Sequence, residues 1–162
     1  MLTTPITVAA SDADLDFFET TFGDFKEELA RAKEEGKKGV FLFFELDDCP
    51  FCARMKSTVL NQPEVQKFFR DHFLVFSVDI EGQTEIVDFD GKKMTAQYFA
   101  EKVHRVRGTP TMSFFDLTGQ RVALYIGATA DVEEFMWLGK YVIEEHFKQM
   151  PFVKYKMLKK KQ

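Results

Sequence analysis

Residues Val40-Phe41-Leu42-Phe43-Phe44 form an unbroken apolar run that ends, a few residues on, at Asp47-Asp48-Cys49-Pro50. A short run without alternation predicts a strand buried on both faces, which requires a central place in a sheet covered on either side by helices. Phe73 to Ile80 (FLVFSVDI) has the same character. Two such strands separated by helical sequence predict a parallel β-α-β unit. With 45% hydrophobic residues and nineteen Phe among 162 residues, the chain has the material for one phenylalanine-packed core.

The rest of the chain reads as one domain without repeats. A helix is predicted from about Asp24 to Glu35, where Phe22, Phe25, Leu29 and Ala32 recur at helical spacing and Thr21 with Asp24 resembles a capping box. Residues 11–20 form a candidate short helix, with Ser11 and Asp14 as a second capping pair. After Pro50 a helix runs to about Leu60, and Gln62-Pro63-Glu64 restarts one whose inner face is Val65, Phe68 and Phe69. Asp90-Gly91 predicts a hairpin between Glu85–Phe89 and Lys92–Thr95, followed by a short helix over Ala96–His104. A second hairpin joins Thr111–Asp116 to Arg121–Ile126. Asp131 opens a final helix carrying Val132, Phe135, Leu138, Val142 and Phe147 on its inner stripe. The expected class is therefore α/β: a central mixed sheet with helices on both faces. The domain spans 1–150, with its core at about 24–148 and an insert at about 81–102.

Cys49-Pro50-Phe51-Cys52 is the motif that carries chemistry. A cysteine just before a helix meets free backbone N–H groups and the positive end of the helix dipole, both of which favour a thiolate. A second cysteine one turn on is placed to attack a mixed disulfide formed at the first. Three other readings stand beside this one. The pair is half of a zinc site completed by His72, His104 or His146, or a short structural staple, or two inert buried thiols. The two cysteines exclude a disulfide-dense scaffold and a four-cysteine zinc site. Further on, Arg107-Gly108-Thr109-Pro110-Thr111 puts a proline at the first residue of a strand, a position where it costs no ladder hydrogen bond.

Taken together these residues resemble the thioredoxin superfamily. Phe41–Met55 (FLFFELDDCPFCARM) is similar to its active-site strand, motif and helix start. His104–Ala128 (HRVRGTPTMSFFDLTGQRVALYIGA) is similar to its cis-proline, hairpin and glycine segment. The likeness covers roughly Asp24 to His146. The two helices after the motif and the long insert are similar to exported bacterial thioredoxin-like proteins of the SoxW type. The resemblance implies a thioredoxin fold with an N-terminal helical extension and an insert ahead of the cis-proline strand. It implies a thiol:disulfide oxidoreductase, more a reductant than an oxidant, with Cys49 attacking and Cys52 resolving. Pro50, Phe51, Thr109 and Pro110 would contact the substrate, with Pro110 cis, and Gly127 would leave room for the substrate groove.

The chain also departs from the family pattern. Thioredoxin has Trp-Cys-Gly-Pro-Cys, whereas here Asp48 precedes the motif and Pro50-Phe51 fill it, closer to the Pro-Tyr of glutaredoxin. The buried aspartate of thioredoxin falls at Phe43 and its lysine partner at about Val75. Glu45 shares a face with Phe43 by alternation and is the candidate proton acceptor for Cys52. The other reading is a strand-end glutamate reaching solvent. Asp47 and Asp48 raise the cost of a neighbouring thiolate, or else cap the helix, while Arg54 and Lys56 oppose them. The insert, entering between the second strand and Pro110, is expected near the active-site edge, where a hairpin would influence partner choice.

Charge bounds the partners. The net charge is −4, which gives no basis for a nucleic-acid partner. Residues 151–162 (PFVKYKMLKKKQ) hold five Lys and no acid, leaving −9 on the rest. This basic tail is read as a solvated C-terminus, with anionic lipid or an acidic partner as the other candidate. No apolar run approaches the roughly 20 residues of a membrane span. Met1 to Ala10 lacks a basic n-region and a long apolar stretch, which fits a cytoplasmic protein and equally an exported one without its leader. The resemblance favours the periplasm. The expected partners are protein disulfides and an upstream thiol reductant. The expected state is a monomer with no metal and no cofactor. The alternatives are a non-catalytic binding module with a structural disulfide, and a metal-binding domain built on Cys49 and Cys52.

Overall fold

The apolar run at Val40 does become the interior of a sheet. The computed structural model describes residues 17–162. In chain order it contains α1 (Phe25–Glu34), β1 (Gly39–Glu45), α2 (Pro50–Thr58), α3 (Pro63–His72), β2 (Phe73–Asp79), β3 (Glu85–Val87) and β4 (Lys93–Thr95). Then come α4 (Ala96–Tyr98), continued by a π-helical turn over Phe99–Val103, β5 (Thr111–Phe115), β6 (Arg121–Ile126), α5 (Val132–Ile143) and α6 (Phe152–Lys160).

The main sheet has the order β2-β1-β5-β6. β1 runs parallel to β2, with Phe43 opposite Ser77, and antiparallel to β5, with Phe44 opposite Thr111. β5 and β6 are antiparallel with a bulge between Phe114 and Phe115. The expected mixed sheet, helices on both faces and hairpin at the end are all present. At the β2 edge, Glu19 donates its N–H to Val75 O at 2.8 Å, so the segment entering α1 covers part of that edge.

Alternation along β1 divides the interior in two. Phe41 and Phe43 face a core shared with α2, α3, α5 and α6, in which Phe69 and Phe135 stack with centroids 4.3 Å apart. Val40, Leu42 and Phe44 face the other core, closed by α1, the β3–β4 hairpin and the Phe99 turn. The hairpin lies where Asp90-Gly91 suggested, but it is a wall of this second core. Ile86 is buried, and Phe89 stacks near Phe115 at 4.6 Å, beside the β5–β6 turn. That turn is at the opposite end of β5 from Pro110, whereas the two ends of the insert meet where Gln97 donates its N–H to Gly82 O, close to Ile80, whose N–H donates to Glu45 O.

Several local expectations shift. α1 is capped by Asp24, whose side chain accepts from Glu27 N at 2.9 Å, and Thr21 instead donates to Glu28 Oε1. The helix starts at Phe25, so the capping pair sits three residues later than the Thr21 pattern implied. α5 ends at Ile143 because Glu145 takes a left-handed conformation, with φ of 58°, and Phe147 rejoins the first core from a separate turn. The stretch read as a basic tail holds α6, seated on the body through buried Tyr155, half-buried Phe152 and the Lys156–Glu134 ion pair at 2.8 Å. The Ser11–Asp14 capping pair lies outside the described residues. Among the described residues, no helix is long and apolar enough to cross a membrane.

Candidate active site

The site is assembled by two adjacent strands that run in opposite directions. β1 delivers Cys49 from its C-terminal end, while β5 begins right after Pro110, at the same end of the sheet. The Phe44–Thr111 pairing locks the two together.

Cys49 is the N-cap of α2. Its backbone is extended, and its Sγ accepts the Cys52 N–H at 3.1 Å. The sulfur thus occupies the place that a serine or aspartate oxygen takes at most helix starts. Pro50 follows in the first turn, where its missing N–H leaves nothing unsatisfied. Cys49 and Cys52 are joined in a disulfide with their Cα atoms 5.2 Å apart. Cys49 retains 8% exposure and Cys52 only 2%, and both sulfurs pack into the first core. On reduction, a thiolate at Cys49 keeps the N–H bond and gains the helix dipole, both of which stabilise it relative to a thiol in open water. Asp47 and Asp48 are exposed just ahead of it. Neither caps the helix, because the sulfur does.

Phe51 stands out from α2 at 58% exposure, with the Arg54 guanidinium 5.3 Å from its ring centroid. Arg54 also donates to Thr129 O at 3.3 Å. Buried Thr129 in turn donates to Asp131 O, at the start of α5. The active-site helix is therefore tied to the loop after β6, a link that no local pattern in the sequence announces. Across the site the Thr109–Pro110 peptide bond is cis. Pro110 is buried, and its carbonyl accepts the Gly127 N–H at 2.8 Å. Gly127 has φ of 96°, a conformation side chains disfavour, while a Cβ there would meet no other atom. The glycine serves backbone geometry, and the space above it is open.

Glu45 closes β1 on the same face as Phe43. One carboxylate oxygen accepts from Ser77 Oγ on β2, and the other lies 2.5 Å from Lys56 Nζ on α2. Phe43, at the position of the family aspartate, is fully buried and packs on Phe18. Sequence reasoning selected Glu45 but not its partners. Arg54 and Lys56, expected to counter Asp47 and Asp48, are instead engaged with Phe51 and Glu45.

The three histidines are dispersed. His72 Nδ1 bonds Phe68 O, His146 pairs with Glu144, and His104 sits in the second core between Phe44, Phe99 and Phe115. Among the described residues, no group of three His, Cys, Asp or Glu side chains is gathered that would hold a metal ion.

Comparison with known proteins agrees with this geometry. Residues 25–143 match the thioredoxin-like domain family. No curated protein matches. Among solved structures, a thioredoxin-fold protein from Helicobacter pylori aligns over 89% of this chain and 94% of its own, at TM-score 0.65 and 18% identity. A thioredoxin from Thermus thermophilus aligns over 74% of this chain and 84% of its own, at TM-score 0.58 and 26% identity. A protein described as DsbH oxidoreductase aligns over 89% and 92%, at TM-score 0.61 and 21% identity. With cysteines at helix-start spacing on this fold, the chain belongs to the thioredoxin-like domain family.

Proposed function

We propose that this protein is a thiol:disulfide oxidoreductase acting on protein disulfides, and that it works as a reductant. The observation that carries this reading is the Cys49 sulfur at the N-cap of α2, bonded to the Cys52 N–H and joined to the more buried Cys52 sulfur. The Thermus thermophilus neighbour, a thioredoxin, supports the same class.

In the reducing direction the Cys49 thiolate attacks one sulfur of the substrate disulfide. A mixed disulfide forms, the substrate S–S bond breaks, and the leaving thiolate takes up a proton. Cys52 then loses its proton, attacks the Cys49 sulfur and releases the second substrate thiol. The chain is left with the Cys49–Cys52 disulfide, and an upstream dithiol returns two electrons and two protons. Cys49 is the attacking sulfur because it is the more exposed one and the one at the helix start. Glu45 is proposed as the acceptor of the Cys52 proton, with Lys56 and Ser77 holding its carboxylate. Pro50, Phe51, Thr109 and Pro110 form the substrate-facing rim, where exposed Phe51 offers an apolar contact. Asp47 and Asp48 support the reducing direction, because negative charge beside Cys49 disfavours its thiolate and so favours the disulfide of this protein. A periplasmic location rests on the sequence likeness to exported bacterial proteins.

The test is trapping. Cys52→Ser accumulates a mixed disulfide with a protein substrate through Cys49, and Cys49→Ser does not. Trapping by Cys49→Ser and not by Cys52→Ser would reverse the assigned roles, and none by either would leave a binding module with a structural disulfide.

A further inference from the structure

α6 is seated on its inward face and open on the other. Tyr155 is buried, Lys156 is spent on Glu134, and Lys159 lies over the Tyr155 ring at 5.5 Å. The outward face presents Val153, Met157 and Leu158, which are 63%, 55% and 44% exposed. Lys154, Lys160 and Lys161 are interleaved with them, and none of the three makes an ion pair among the described residues. Val153, Met157 and Lys160 follow at i, i+4 and i+7, so aliphatic side chains and ammonium groups share one face of the helix.

We infer that this outward face of α6 is a docking surface for an anionic lipid bilayer. Three arguments favour a bilayer over a protein partner. The strip holds aliphatic groups and lysines, with none of the directional polar groups that fix a protein in register. Lysine stems lie along an apolar surface while their ammonium groups reach outward, which suits lipid phosphates that accept from any side. The charge is complementary at the C-terminal segment. The rest of the chain carries −9 and is repelled by an anionic surface, whereas 151–162 carries five Lys and no acid.

The orientation has a consequence for the disulfide. Lys159 and Lys160 end α6 at one cleft with Ala130, Asp131, Glu133 and Glu134, next to Thr129, whose carbonyl is held by Arg54 of α2. Docking through α6 therefore keeps the cysteine-bearing end of the molecule close to the bilayer. Three aliphatic side chains make this a reversible contact, not an anchor.

The experiment is co-sedimentation of the oxidised full chain with vesicles of phosphatidylcholine, with and without phosphatidylglycerol. The expected result is binding to the mixed vesicles alone, released by added salt. The triple variant Lys154→Glu, Lys160→Glu, Lys161→Glu should lose at least about ten-fold in affinity, since each lysine near an anionic surface contributes separately. Val153→Thr with Met157→Gln should weaken binding yet keep its salt sensitivity. All these positions are exposed, and an unchanged rate of disulfide reduction by dithiothreitol in each variant confirms the fold. Absence of binding, equal binding to both vesicle types, or full binding by the triple variant would overturn the proposal. So would retention on immobilised poly-glutamate by a protein that ignores the vesicles, which would assign the face to an acidic protein partner. Binding is read without substrate, so its failure and failure of the redox reading are separate results.

Discussion

Lys56 reaches back from α2 to the carboxylate of Glu45 at the end of β1, 2.5 Å away, and so couples the active-site helix to the central strand beneath it. Ser77 Oγ donates to the second oxygen of the same carboxylate. Both partners are largely shielded from solvent, so removing one charge leaves the other partly unpaired.

Glu45→Gln tests this arrangement. The variant should lose about 1–2 kcal/mol of stability, the scale of leaving a partly buried charged group without its partner. It should also shift the pH profile of disulfide reduction, because the proposed acceptor for the Cys52 proton is gone. Denaturant unfolding reads the first effect and a rate–pH series the second. A stability loss with an unmoved profile would make the residue structural only.

His104 predicts an acid limb in stability. Its ring lies among Phe44, Phe99 and Phe115, and its Nε2 has no hydrogen-bond partner among the described residues. Burial lowers its pKa from 6.5 to about 4, Arg121 adds to the lowering, and Asp88 opposes it. The folded state thus holds this imidazole neutral in a range where the unfolded chain binds a proton. Stability is complete above pH 6.5 and falls as pH drops towards about 4, by up to about 1.4 kcal/mol per unit. His104→Leu should flatten that limb in urea melts between pH 6.5 and 5, above the range of ordinary carboxylates.

Gly39 predicts a steric failure. A Cβ built there would lie 1.9 Å from Phe115 O, a backbone atom held next to the β5–β6 bulge. Gly39→Ala must push β1 away from β5 and should cost about 1–3 kcal/mol or more in denaturant unfolding, as overpacking of a tight site does. Gly36→Ala is the comparison. A Cβ there meets nothing within 4 Å, and the strain of its φ of 70° is confined to a turn.

These cases also mark what the sequence could reveal. β1 and the start of α2 were legible because their determinants are local: a continuous apolar run, then a cysteine and a proline at a helix start. The β3–β4 hairpin was legible at Asp90-Gly91 for the same reason. Its packing was not, since the fit of Ile86 and Phe89 against the second core depends on residues distant in the chain. α6 was hidden by its charge. Phe152, Tyr155 and Lys156 have the helical spacing of a buried face, but Lys156 becomes a seat only when Glu134 of α5 is brought to it. Glu45 could be picked by strand alternation, yet neither Ser77 nor Lys56 is marked as its partner by spacing.

The most direct test of the central claim is the reduction potential of the Cys49–Cys52 disulfide, measured by equilibration in graded dithiothreitol buffers with thiol trapping. The account predicts a reversible two-electron couple at about −270 mV, the range of a thioredoxin-like reductant. A value of about −120 mV would contradict the reducing direction, and a bond that survives the whole buffer series would contradict catalysis by this pair.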